Sequence, residues 1–247
     1  VVNLALRGST ASDAALSPTR QPTLANFVEA WRTGALGPAM FTTASVVTVS
    51  VAALVVIAAL ASYPLARATT RFSRSVYMLF MLGLLLPYQL VFIPLYQNFS
   101  HLGLLGPRAP VALVIFYVGH ALPFSILLFT SFLRAIPIDY ENAASLDGCS
   151  RLQAFRHVLF PLLGPVTGTV VILNTIFVWN DFMTPLLYLS GSGNLTLPVA
   201  IYSFVGEYSA DWPKIFAGLL IGVAPVMCAY VVLQRRIMQG FSGGLTG

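Results

Sequence analysis

Long apolar runs recur from Met40 to the C-terminus, separated by short polar stretches. Five of them, Met40–Leu65, Val76–Tyr96, Pro110–Phe132, Val166–Leu189 and Ile215–Leu233, are long enough as helices to cross a bilayer. At ~1.5 Å per residue each would span about 30 Å of hydrocarbon. Each contains proline: Pro64, Pro87 and Pro94, Pro123, Pro185 and Pro225. Proline removes a backbone donor and bends a helix, which a membrane tolerates where a neighbouring helix or wet cavity satisfies the freed carbonyl. The pattern therefore predicts an all-α polytopic membrane protein with kinked spans, one domain over residues 1–247.

Composition agrees. The chain is 57% hydrophobic and 9% charged, against about a quarter charged in an ordinary soluble domain. The formal charge of +5 does not point to nucleic acid, because the basic residues are spread thinly between apolar segments. They read instead as topology determinants. Arg67, Arg71 and Arg74 follow the first span, Arg134, Arg151 and Arg156 the third, and Arg235 and Arg236 the fifth, which places those connections in the cytoplasm. The alternate connections hold only Arg108 and Lys214 and should face outward. Five spans with the C-terminus inside imply a sixth before residue 1, with Ser9–Leu36 as an outward connection. The absent initiator Met points the same way, and Val1–Leu6 is too short for a signal peptide core. Cys149 and Cys228 suggest neither a disulfide framework nor a metal site.

The connection 133–165 is not a linker by composition. Pro137 suits a first helical turn, Gly148 a C-terminal cap, and Ser150-x-x-Gln153 a capping box. These predict a short helix, a sharp turn and a second helix leading into the fourth span. Ala143 and Ala144 would let that first helix approach a partner closely, with Tyr140, Leu146 and Phe155 as apolar anchors. The alternative is a helix pair lying on lipid headgroups.

The run Asn142-Ala143-Ala144-Ser145-Leu146-Asp147-Gly148, followed after nine residues by Val158-Leu159-Phe160-Pro161, resembles the EAA loop of binding-protein-dependent ABC importer permeases. The spacing matches throughout. Asn142 replaces the pattern's Glu, with Glu141 one residue earlier, while Val158 and Phe160 replace its Ile and Leu. The resemblance implies that Glu141, Asn142, Ala143, Ala144, Leu146, Asp147, Gly148, Phe155 and Pro161 couple to an ATPase.

Further runs resemble the carbohydrate branch of that family: Leu86-Pro87-Tyr88-Gln89, Ile93-Pro94-Leu95-Tyr96, Ala121-Leu122-Pro123-Phe124 and Trp179-Asn180-Asp181-Phe182. The tail Gln234-Arg235-Arg236, with Gly240, Gly243 and Gly247, is similar to that of the second permease subunit of maltose-type systems, where it implies contact with the ATPase. Tyr88, Gln89, Trp179, Asn180 and Asp181 are candidates for the solute pathway. Asp181 is the only acidic residue placed within a span, and a charge there requires a reason. Either it hydrogen-bonds solute hydroxyls, or it holds its own or a neighbouring helix through backbone donors, the reading preferred here. His120 reads as a helix-packing residue, and Gln97 and Tyr202 as possible cavity-lining groups.

The single lysine, Lys214, lies in Trp-Pro-Lys-Ile, so this chain cannot assemble a P-loop. The resemblance implies no cofactor in this chain, ATP and Mg being bound by partners. Those partners would be a second homologous permease subunit, two ATP-binding-cassette subunits and an extracytoplasmic solute-binding protein, within the lipid of a prokaryotic inner membrane. A secondary transporter would show intramembrane charge pairs or inverted repeats. An intramembrane enzyme would need a convergent nucleophile and base, for which only His120 and Asp181 offer themselves.

Overall fold

A computed structural model describes residues 1–6, 22–205 and 210–242, with side chains as far as Cys228. Every element among them is helical: α1 (Val2–Ala5), α2 (Ala25–Thr33), α3 (Leu36–Arg67), α4 (Arg71–Gly83), α5 (Phe92–His101), α6 (Ala109–Ala135), α7 (Asp139–Leu146), α8 (Arg151–Ala154), α9 (Phe160–Leu162), α10 (Gly164–Asn180), α11 (Met183–Tyr188), α12 (Leu197–Tyr202) and α13 (Trp212–Ser242). Short 3-10 turns at Tyr88–Val91 and Gly106–Arg108 lead into α5 and α6, and a π turn at Phe155–Leu159 joins α8 to α9.

Two helices are long and apolar enough to cross a membrane unaided, Leu36–Arg67 and Gly106–Ala135. The second and fourth expected spans differ from the sequence reading. Val76–Tyr96 is not one helix, since α4 ends at Gly83 and the segment Tyr88–His101 departs at 94°. The apolar residues Leu84, Leu85 and Leu86 bridge the break, so hydropathy does not register it. Pro87 explains it: its ring lacks a donor and disfavours helical geometry in the residue before it. The fourth span also stops short. α10 ends at Asn180, nine residues before the expected end at Leu189, while the preceding segment Arg151–Leu162 meets it at 72° across Leu163. Taking each bent pair as one span gives up to four by length and composition. The fifth expected span, Ile215–Leu233, lies wholly within α13, whose apolar part among the described residues is Trp212–Cys228.

The chain forms two compact units, one of Val1–Ser45, Leu104–Pro110 and Asn180–Gly247, the other of Val46–Gly103 and Val111–Trp179. In the first, helices approach at small residues. A Cβ at Gly218 would stand 3.1 Å from Ile201 Cγ1, and one at Gly222 3.3 Å from Leu197 Cδ2, so α12 lies directly on α13. The buried Thr43 hydroxyl donates to Ala39 O at 2.9 Å and accepts the Leu197 N–H at 2.8 Å. It thereby satisfies an amide that the start of α12 would leave orphaned.

In the second unit Ala58, Ala59 and Ser62 make a small-residue patch on α3, all buried. The Ser62 hydroxyl donates to Ile126 O on α6 at 3.4 Å. Small side chains and a cross-helix hydrogen bond are how helices associate where lipid supplies little hydrophobic drive. Phe129 and Leu133 on α6, Leu159 in the π turn and Val170 on α10 complete that core without measurable exposure.

Candidate functional site

The hairpin formed by α7 and α8 is built from local signals. Asp139 and Glu141 occupy the first turn of α7, where carboxylates favour the positive end of the helix dipole. Its end is a left-handed turn: Gly148 has φ +82°. Cys149 N–H donates back to Ala144 O at 2.9 Å and Gly148 N–H to Ser145 O at 3.0 Å, the bonding that glycine at this position permits. α8 opens with a reciprocal cap. The Gln153 N–H donates to Ser150 Oγ at 3.4 Å and the Ser150 N–H to Gln153 Oε1 at 2.8 Å. The turn between the helices is therefore pinned from both sides.

Two faces of the hairpin separate the residues expected to couple to an ATPase. Asn142, Ala143, Asp147, Gly148 and Pro161 are exposed, as is Tyr140, and Leu146 is 90% exposed. Ala144 and Phe155 are each only 5% exposed, so neither offers itself to a partner as the sequence reading had them do. Phe155 opens the π turn, and its ring sits 5.3 Å from Tyr63 and 6.2 Å from Phe160.

Glu141 also faces inward. Its Oε1 accepts from Arg67 Nε at 2.6 Å and its Oε2 from the Tyr63 hydroxyl at 2.8 Å. Arg67 Nη2 donates in addition to Ile136 O at 3.0 Å, just before α7. Nearby, Arg134 lies 5.0 Å over the Tyr77 ring and donates to Leu65 O at 3.4 Å. The sequence reading treated both arginines only as markers of the membrane edge. Nothing in it signalled the pairing, whose partners lie 74 residues apart.

The expected solute-pathway residues fall in different settings. Tyr88 stands in an aromatic cluster, 4.6 Å from His120, 5.5 Å from Phe92 and 6.2 Å from Phe177. His120 stacks nearly parallel on Phe116 at 6.0 Å and lies 5.1 Å from Phe177. Phe177 was not singled out from sequence, being one apolar residue in an apolar run. Gln89 is exposed. Trp179, half-buried, and Asn180, exposed, are the last residues of α10. Asp181 is not inside a helix, contrary to expectation, because α10 ends one residue earlier. Its Oδ1 accepts the N–H groups of Met183 at 3.1 Å and Thr184 at 3.4 Å at the start of α11. That carboxylate caps orphan amides. Phe182 and Tyr202 pair at 5.0 Å. Of the tail residues, Gln234, Arg235 and Gly240 lie on α13 beyond the last described side chain, and Gly243 lies outside the described residues.

Long apolar helices, spans broken near proline and a pinned helical hairpin are the build of a polytopic transport protein. Comparison narrows this. Residues 54–240 match the family described as "Binding-protein-dependent transport system inner membrane component". The chain is 35% identical over 227 residues to the sulfoquinovosyl glycerol transport system permease protein SmoH of Agrobacterium fabrum, covering 92% of this chain and 79% of that protein. It is 32% identical to the multiple sugar-binding transport system permease protein MsmG of Streptococcus mutans, covering 83% and 74%. In fold it is similar to a chain in the crystal structure of a bacterial ABC transporter involved in the import of alginate, with TM-score 0.81 at 19% identity over 94% of this chain and 87% of that one. The chain belongs to the binding-protein-dependent transport family: it is a permease subunit of an ABC importer and not an enzyme.

Proposed function

We propose that this subunit forms half of the translocation pathway for a sugar or sugar-like solute in a prokaryotic inner membrane, and that its α7–α8 hairpin docks on an ATPase subunit at the cytoplasmic face. The solute class rests on relatives whose names specify sugars and sulfoquinovosyl glycerol. The docking rests on one observation: a hairpin whose turn is pinned by its own hydrogen bonds presents Leu146, Ala143 and Tyr140 outward. An apolar residue left 90% exposed on an ordered helix suits a groove in another protein.

In this reading the chain crosses the membrane five times, with Arg71 and Arg151 inside and Ser192 outside. A second homologous permease completes the pathway. Two ATPase subunits hold ATP and Mg, an external binding protein delivers solute, and the tail from Gln234 to Gly243 adds a contact to the ATPase. The rings around Tyr88 and His120 form a stretch of wall on the solute route, with Gln89, Trp179 and Asn180 as candidate polar or stacking groups, while Asp181 serves the scaffold. Closure of the ATPase dimer moves the hairpin and thereby the spans.

Purification of the assembled transporter tests this. Leu146→Asp and Ala143→Arg should reduce the ATPase retained by at least about tenfold, as expected for a charge forced into an apolar groove, without affecting membrane insertion. Full retention in both variants would return the hairpin to a headgroup-bound connector.

A further inference from the structure

We infer that Glu141 is an internal latch that fastens the coupling hairpin to the end of α3, so that the two move as one body. The inference rests on the docking reading above and concerns what happens to the motion once it is delivered.

The Glu141–Arg67 pair joins three pieces of chain. Arg67 and Tyr63, one helical turn apart on α3, each donate to a different oxygen of Glu141. Arg67 also donates to Ile136 O in the link between α6 and α7. The Arg67 and Glu141 side chains are only 19% and 14% exposed, so water competes weakly for them. The Tyr63 ring, on its way to Glu141, packs against Phe155 beyond the turn. The hairpin is thus tied to the last turns of α3 through α7 and through the π turn that follows α8. Position makes the assignment specific. Successive helical residues are turned by about 100°, so Glu141 faces α3 while Asn142 faces away and is exposed. The acidic side chain is committed within the subunit, and a charge at 142 for an outside partner is absent from this sequence. Glu141 acts through Arg67 and Tyr63 and is in this sense a positioning residue.

Without the latch, the hairpin would yield when the ATPase moves and α3 would lag. The distinguishing readout is therefore solute transported per ATP hydrolysed by the full transporter in proteoliposomes, measured beside the amount of ATPase retained. Glu141→Gln should keep its ATPase subunits and continue to hydrolyse, while transport per ATP falls on the order of tenfold, the effect of losing a charge-assisted hydrogen bond. Glu141→Arg should fall at least as far, and adding Arg67→Glu should restore the ratio to within about threefold of wild type, since the pair is re-formed with opposite sense. Tyr63→Phe preserves the ring and removes one bond, and should lower the ratio by about two- to threefold. It decides the matter if Glu141→Gln accumulates poorly. An unchanged ratio in Tyr63→Phe together with no rescue in the reversed pair overturns the latch. So does loss of ATPase from Glu141→Gln at normal accumulation, because Glu141 would then face the partner. Failure of the docking reading looks different: Leu146→Asp would keep its ATPase.

Discussion

Two ionic clusters in this chain each pair a cation with carboxylate and do different work. At Glu141, the Arg67 Nε and the Tyr63 hydroxyl each occupy one carboxylate oxygen, and the ion pair is 19% and 14% exposed at its two ends. At Lys214, the ammonium reaches Asp211 at 3.0 Å and Glu29 at 3.5 Å, with those acids 40% and 55% exposed. The first cluster binds α3, α7 and the link before α7. The second is largely local: Asp211 lies three residues before Lys214 and also accepts its backbone N–H at 3.3 Å, so it serves mainly as a cap for α13. Charge that is shielded and shared by several elements specifies their arrangement, whereas the same charge in water adds little.

The largest expected effect follows directly. Arg67→Leu strands the Glu141 carboxylate in its shielded position, which should cost about 3 kcal/mol and lower the thermal midpoint of the purified transporter by several degrees. Arg67→Leu combined with Glu141→Leu removes the stranded charge and should recover at least half of that loss. If Arg67→Leu is no more damaging than Lys214→Met, the contrast between the clusters fails.

Smaller effects should come from the backbone caps. Gly148→Val places a β-branched residue at φ +82°, and should cost about 1–2 kcal/mol by opposing the left-handed turn. Limited proteolysis at the hairpin turn would reveal it as faster cleavage with the spans intact. Asp181→Ala removes the acceptor for two amides at the start of α11, worth about 1 kcal/mol, whereas Asp181→Asn retains an oxygen and should be milder. The amount of assembled transporter measures this. Normal assembly with an altered solute preference in Asp181→Ala would instead assign the carboxylate to recognition.

What the sequence disclosed follows the range of the interaction. The capping box at Ser150 and the turn at Gly148 were legible because three residues or one decide them. The hydropathy of α3 and α6 was equally plain, since lipid asks only for apolar length. Hydropathy has no direction, however, so Leu84–Leu86 read as continuous span although the chain turns through 94° about that segment. The prolines there were recognised as kinks, and only the size of the bend was missed. Phe155 read as an outward anchor and Ala144 as a point of close approach, because an apolar residue on a short helix suits either face. The Glu141 latch was hidden for another reason. Arg67 was already accounted for as a topology marker, and no local rule connects it to a carboxylate 74 residues away.

The smallest effect is expected at Lys214, and it sharpens the comparison by how it responds to salt. Lys214→Met removes both ionic contacts but leaves the Asp211 carboxylate capping the N–H of residue 214. The long side chain gives up freedom to hold Glu29, and water competes at both acids, so the net loss should be below about 0.5 kcal/mol. Raising the salt from 0.05 to about 1 M shortens the screening length to roughly 3 Å. The already small difference between wild type and Lys214→Met should then vanish, while the deficit of Arg67→Leu persists, because its stranded carboxylate is shielded from the ions as well as from water. Thermal midpoints of the three proteins at both salt concentrations decide the point. Equal salt sensitivity in the two variants would mean that Glu141 is as solvated as Glu29, and the difference between the clusters would be one of geometry alone.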